Sequence, residues 1–181
     1  MLDLFGGRGG VATALRRRGW NAYVVDGSSG EDATGRRFWN LIRRDINQGR
    51  CMGAMMAPPC ATVSQALRSP VRSHEHIYGL PDLPEHVLTK VDNANRCYQL
   101  CARVARALHR AKRPWIIENP HASLLWHIPE IAALFWMPRT CFVVLDQCQF
   151  GTPWRKRTRL LMGDIDEQDA GSVARMWQRA I

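Results

Sequence analysis

Asp3-Leu4-Phe5-Gly6-Gly7-Arg8-Gly9-Gly10 joins a short apolar run to a helical pattern, and Asp26-Gly27 follows about twenty residues later. Glycines at a strand-to-helix turn let the backbone approach a ligand closely, and an acid at the end of the next strand can hydrogen-bond ribose hydroxyls. The spacing fits a nucleoside cofactor on a Rossmann-like sheet. A glycine-rich turn that binds nothing, and a dinucleotide site, remain open on these residues alone.

Outward from this turn, strands and helices alternate. Residues 2–5 read as a core strand, and 11–18 as a helix with Val11, Ala14 and Leu15 on one face and Gly19 closing it. Residues 22–25 read as a second buried strand, 38–42 as a short helix ahead of Arg43-Arg44-Asp45-Ile46, and 51–57 as an apolar strand. Residues 64–85, with Pro70, Pro81 and Pro84, read as a long functional or mobile loop. Ala94, Cys97, Tyr98, Cys101, Val104, Ala105 and Leu108 recur at helical spacing and predict a helix over 91–111. Strands are expected at 115–117, 141–145 and 159–162, with a loop over 146–158 and a final helix over 172–180. This alternation predicts an α/β fold: a mostly parallel sheet with helices on both faces, in one domain spanning 1–181.

Three further motifs carry chemistry. Pro58-Pro59-Cys60 follows a strand, and its two prolines fix where the thiol points. That thiol lies on the rim where open α/β sheets bind ligands, and a positive neighbour or a helix N-terminus would favour its reactive thiolate; the alternative is an inert buried cysteine. Trp115-Ile116-Ile117-Glu118-Asn119-Pro120 places a carboxylate at the same rim. Partial desolvation would let it hold a proton near neutral pH, and the alternative is a strand-end residue capping the next helix. In Gln149-Phe150-Gly151-Thr152-Pro153-Trp154-Arg155-Lys156-Arg157-Thr158-Arg159 the arginines alternate, so in a strand one face would be cationic. A basic edge that discourages aggregation is the alternative.

The chain has 181 residues, 46% hydrophobic and 23% charged, enough for one substantial core. No apolar stretch is long enough to span a bilayer, and no secretory leader is present, so no membrane association and an intracellular location are expected. The chain opens directly on a core strand, which suggests a trimmed fragment or a compact relative of something longer. A net charge of +9, with arginine clusters at 16–18, 36–37, 43–44 and 155–159, favours polyanions or is a solvated surface. The six cysteines form no Cys-x-x-Cys pair and are expected to be reduced; Cys97 and Cys101 read as small core thiols. His74-Glu75-His76 and His86 lack a second ligand pair, so no metal is expected.

Taken together and in this order, the four motifs resemble those of the cytosine-C5 methyltransferase family, over residues 3–163. The opening motif is similar to Asp-Leu-Phe-x-Gly-x-Gly-Gly. Pro-Pro-Cys matches the nucleophile motif, Glu-Asn-Pro is similar to Glu-Asn-Val, and Phe-Gly-Thr-Pro with its basic cluster resembles Tyr-Gly-x-Pro before Gln-x-Arg-x-Arg. The resemblance implies a Rossmann-like fold dependent on S-adenosylmethionine, with Phe5, Gly7 and Gly9 lining the cofactor pocket. Asp26 with the adjoining Gly27 would meet the ribose, and Asp45-Ile46 would be the adenine-contacting pair. It implies that Cys60 attacks C6 of a cytosine, that Glu118 hydrogen-bonds N3 and the exocyclic amine, and that Arg157 supports the developing charge. Ser64, Arg155, Lys156 and Arg159 would contact the nucleic acid. DNA is the expected substrate, flipped out if duplex.

The chain departs from the family pattern at Ala61 and Val63, which stand for glutamine and phenylalanine. At Arg155, which stands for glutamine, an alternative alignment lays Lys156-Arg157-Thr158 over a Lys-Pro-Thr of some relatives. The stretch between Cys60 and Glu118 is longer than usual, with extra residues over 73–95, and Gly171-Ser172-Val173 is a faint echo of the family's closing Gly-Asn-x-Val. Too little follows Gly163 for a target-recognition region, so a partner subunit or a missing segment is expected to supply it, and weak activity on long duplex is expected. The competing expectations are an RNA-directed enzyme, although its usual Cys-Phe-Thr is not evident, and a methyltransferase-fold module that only binds nucleic acid or a partner subunit. A dehydrogenase is disfavoured because nothing resembles a hydride-transfer site.

Overall fold

The computed structural model of the chain describes residues 1–26, 35–151 and 153–165. Its elements, in chain order, are β1 (Leu2–Leu4), α1 (Gly10–Arg16), β2 (Tyr23–Val25), α2 (Arg36–Asn47), β3 (Ala54–Met56), α3 (Glu85–Arg110), β4 (Trp115–Pro120), α4 (Pro129–Ala132), β5 (Thr140–Asp146) and β6 (Arg157–Gly163). Single 3-10 turns at Leu124–His127 and Ala133–Trp136 flank α4, and a third at Gln147–Phe150 follows β5. The expected final helix over 172–180 lies outside the described residues.

One six-stranded sheet runs in the order β2-β1-β3-β4-β6-β5. The pairs β1–β2, β1–β3 and β3–β4 are parallel, whereas β6 is antiparallel to both β4 and β5. The expected mostly parallel sheet is therefore a mixed one, with three parallel and two antiparallel strand pairs. The reason is the connection: β5 and β6 are joined by the ten residues 147–156, too few to carry a helical crossover, so β6 must turn back against β5.

Leu4, Met56, Trp115, Ile117 and Leu161 project from one face of the sheet and are fully buried. They meet Tyr98 and Leu108 of α3 and Ile46 of α2 in a single core cluster. Trp115 fills this face so closely that a Cβ on Gly163 would lie 2.2 Å from its indole ring. On the opposite face α1 packs against Asp3 and Val24, so helices cover both faces, as right-handed crossovers on either side of β1 require. Ile42 and Ile46, one helical turn apart, are the buried stripe of α2. In α3 the expected residues are buried, and so are Leu100, Ala102 and Ala107, because this helix is packed on more than one side. Glu85 in its first turn and His109 and Arg110 in its last complement the helix dipole.

Two readings change on folding. The strand at 22–25 was expected to be buried; β2 is the sheet edge, and Tyr23 is exposed. The helix expected over 38–42 runs on through Arg43-Arg44, so Asp45-Ile46 lies in the last turn of α2.

At the foot of the sheet, Asp164 follows β6 with its side chain almost fully buried. Its Oδ2 lies 2.5 Å from His109 Nδ1, and its Oδ1 accepts from Arg139 Nε at 2.7 Å. Together they tie the end of α3 to β5 and β6. Asp164 has φ +50°, a left-handed conformation that asparagine also tolerates, so Asp164→Asn isolates the charge. With the half-exposed arginine discounted, we expect this substitution to cost about 3 kcal/mol in urea unfolding.

Candidate active site

From β1 the chain steps to β2 on one side and then crosses back to β3 on the other. Such a switch point opens a crevice outside the carboxyl ends of β1 and β3, where open α/β sheets bind ligands. The glycine turn leaves β1 here. Phe5 takes φ +60°, rare for a bulky residue, and its N–H donates to Val25 O at 2.7 Å. Asp3, buried beneath the turn, accepts from Ala12 N at 2.9 Å and so satisfies a donor in the first turn of α1. A Cβ on Gly6 would lie 2.5 Å from that carboxylate. Gly9 takes φ +67°, and a Cβ there would lie 2.8 Å from Val24 Cγ2. Gly6 and Gly9 are thus demanded by close approach. Gly7 N donates to Asp26 Oδ2 at 2.9 Å, so the acid at the end of β2 closes on the turn.

Gly27 and Thr152 lie outside the described residues. Asp45 and Ile46 are not brought to this crevice. The Asp45 carbonyl accepts from Cys51 N just before β3, which puts the pair at the amino ends of the strands. Ile46 is buried in the core, and the Asp45 carboxylate accepts from Arg50. We do not assign this pair to the cofactor.

Beside the glycine turn, β3 runs into Pro58-Pro59-Cys60. Cys60 is a free, exposed thiol, unlike the buried Cys97 and Cys101. Asn119 Nδ2 donates to Pro58 O at 2.9 Å, and Tyr98 Oη donates to Pro59 O at 2.7 Å. Burial pushes the Tyr98 phenol up to about 12, against the pull of Thr62 and the Arg72 guanidinium, with Cys97 and Cys60 raising it further. The hydroxyl therefore keeps its proton and stays a donor. Two consecutive carbonyls ahead of the thiol are anchored from two different elements.

Behind the loop lies Arg72, buried within the long segment between β3 and α3. All five of its N–H donors are used: Nε on Thr62 O, Nη1 on Ile77 O and Asn95 Oδ1, Nη2 on Thr62 Oγ1 and Val91 O. Its guanidinium carbon lies 5.5 Å from the centre of the Tyr98 ring. Burial pulls its pKa below the usual arginine range. Ser64 closes a local turn, its hydroxyl accepting from Ala66 N at 3.2 Å.

Glu118, in β4, has a largely buried side chain, and Lys156 Nζ lies 3.3 Å from its Oε1. The β4–β6 register places Glu118 opposite Leu160, so Glu118 shares a face with Thr158 and with Lys156 just before β6. Arg157 and Arg159 alternate to the other face. Lys156, rather than Arg157, is the cation that meets the carboxylate. Arg157 is exposed and makes no side-chain hydrogen bond or ion pair among the described residues. Arg155, exposed and ahead of the strand, pairs with Asp146 at 3.0 Å. Arg159 packs among Trp126, Phe135 and Phe142, 5.1 to 6.0 Å from the ring centres.

Sequence reasoning missed the anchors of the loop. Tyr98 reads as one more core residue of α3, Asn119 as part of a motif with no stated role, and Arg72 as one arginine among many. No local signal separates them, since their partners lie 5 to 61 positions away and mostly on other elements.

The structure defines an α/β chain with a mixed sheet, a glycine turn, an exposed thiol and a lysine-paired carboxylate at neighbouring strand ends. No protein-family model matches the chain, and no curated protein matches its sequence. Among the described residues no helix is long and apolar enough to cross a membrane.

Proposed function

We propose that this chain is the catalytic domain of an S-adenosylmethionine-dependent cytosine-C5 methyltransferase with a Rossmann-like sheet, acting on DNA. One observation carries the reading: the glycine turn after β1, Cys60 after β3 and the Glu118–Lys156 pair at β4 and β6 occupy adjacent strand ends around one switch point.

The residues at β1 and β2 fit the cofactor. The turn has no room for side chains at Gly6 and Gly9, and the Phe5 and Gly7 backbones and Asp26 border the crevice. When bound there, S-adenosylmethionine supplies an electrophilic methyl group for C5. The chain's own residues prepare the ring. The Cys60 thiolate adds its electron pair to C6, breaking the C5–C6 double bond and making C5 nucleophilic. Carrying a proton on one oxygen, Glu118 donates to N3 and accepts from the exocyclic amine as negative charge builds in the ring, and Lys156 holds the carboxyl group in place. After methylation, loss of the C5 proton to a base expels the Cys60 sulfur from C6 and restores the double bond. Fluorine at C5 blocks that last step.

The test uses a single-stranded DNA oligonucleotide with one 5-fluorocytosine. The wild-type chain is expected to form a covalent adduct that survives denaturing electrophoresis and depends on S-adenosylmethionine. Cofactor binding by calorimetry with no adduct on DNA or RNA strands would overturn the reading in favour of a binding module. An adduct on RNA alone would move the substrate class.

A further inference from the structure

On the α3 side of the sheet, next to the Cys60 loop, five basic side chains of the described residues lie near one another. His121 follows β4, and its backbone N–H donates to Arg157 O at 2.9 Å. Arg159 Nη2 lies 3.4 Å from His121 Nδ1. His127 meets His74 edge to face, ring centres 4.6 Å apart, so the long segment after β3 and the turn after β4 each contribute one imidazole. Leu124 N donates to Val63 O at 2.9 Å, which fastens that turn to the Cys60 loop.

The cluster differs from a solvated basic face in two ways. Arg159 is held between three aromatic rings, which fixes the guanidinium where water alone would leave it mobile. Its Nε is buried and has no hydrogen-bond partner among the described residues. A sealed, unpaired donor is costly to a cation, and an anion accepting from the Nη1 and Nη2 edge of the same guanidinium, beside His121, would offset that cost.

We propose that His74, His121, His127, Arg157 and Arg159 form a seat for one backbone phosphate of a single nucleic-acid strand, beside the loop that carries Cys60. This rests on the proposed function and deepens it, because it states how the strand bearing the target base is held. A planar guanidinium and imidazole N–H groups suit phosphate oxygens, and such contacts position a strand without reading its sequence.

The histidines add a proton linkage. Burial, then Arg159 and Arg157, push the His121 pKa below the usual histidine range. Burial, then His74 and Arg159, push His127 the same way. The neighbouring acids are engaged elsewhere: Glu130 of α4 accepts from Tyr78 Oη, Glu118 is held by Lys156, and Asp146 by Arg155. Arg106 of α3 donates to the Glu130 carbonyl, and Glu75 and His76 flank His74. A bound phosphodiester raises the histidine pKa values, so binding takes up protons. Affinity must then rise as pH falls and level off once the free imidazoles are charged.

The experiment measures anisotropy of a labelled thymidine oligonucleotide, without cofactor and at fixed ionic strength, so that neither cytosine nor chemistry is required. Between about pH 7.5 and about pH 5.5 we expect wild-type affinity to rise about tenfold. The His121→Gln/His127→Gln double variant should keep less than about a twofold rise. Arg157→Ala should weaken binding at every pH and lower the salt slope by about one. A strand with neutral methylphosphonate linkages should not bind. Circular dichroism checks that the variants fold, and Arg159 is left intact because it is packed among three rings. An undiminished pH dependence in the double variant, or equal binding of the neutral strand, would overturn the proposal. Loss of the seat with the 5-fluorocytosine adduct intact sinks this inference alone; the reverse sinks the proposed chemistry alone.

Discussion

Replacing Cys60 by alanine is expected to abolish the 5-fluorocytosine adduct and to lower methyl transfer by more than about 10⁴-fold, since no second nucleophile shares its position. Cys60 is exposed, so the substitution leaves no cavity, and stability should stay within about 0.5 kcal/mol. Cofactor affinity should be unchanged, because the glycine turn belongs to a different strand and its hydrogen bonds run to Asp26 and Asp3. Glu118→Gln keeps the shape of its side chain but removes the charge opposite Lys156. Its expected loss is about 10² to 10⁴-fold in transfer rate, with the adduct still detectable after long incubation. Single-turnover transfer of labelled methyl groups separates the two variants. Adduct formation by Cys60→Ala at the wild-type rate would remove Cys60 from the mechanism.

Arg72→Met is expected to cost about 3 to 5 kcal/mol in stability, because a buried charge and five hydrogen bonds are lost together. Two acceptors on Thr62, with Ile77 O, Val91 O and Asn95 Oδ1, would be left without their donor. Against a total of about 5 to 15 kcal/mol, that loss brings the chain near its unfolding threshold at room temperature. Lysine would not rescue it, since three donors on a point charge cannot replace a five-donor fork. Tyr98→Phe serves as the comparison. It removes the hydrogen bonds of one hydroxyl to Pro59 O and Thr62 Oγ1, at about 1 to 2 kcal/mol. Urea denaturation followed by tryptophan fluorescence reads both, and a shift below about 1 kcal/mol for Arg72→Met would show that the loop is anchored by other contacts.

The same residues show how far local pattern reaches. Tyr98 and its neighbours repeat at helical spacing, so α3 was legible, and its buried face agrees with the expected one. The apolar run at 115–117 was legible too, but β4 continues through Glu118-Asn119-Pro120, because pairing with β6 extends an edge that polar composition alone would end. Residues 121–136 carried no clear period, since their two 3-10 turns and one four-residue helix are too short to show one.

By itself the sequence determined an α/β chain, its glycine turn, the Cys60 turn after β3 and the strand that leads into Glu118, because these follow from local periodicity and from what glycine and proline permit. Only the tertiary structure decided that β6 reverses, that Lys156 rather than Arg157 meets Glu118, that Asp45-Ile46 sits away from the crevice, and that Arg72 braces the thiol loop. Each of these depends on register and on contacts between distant segments. Shifting a strand by one residue turns every side chain to the other face, and no local stretch of sequence encodes which register wins.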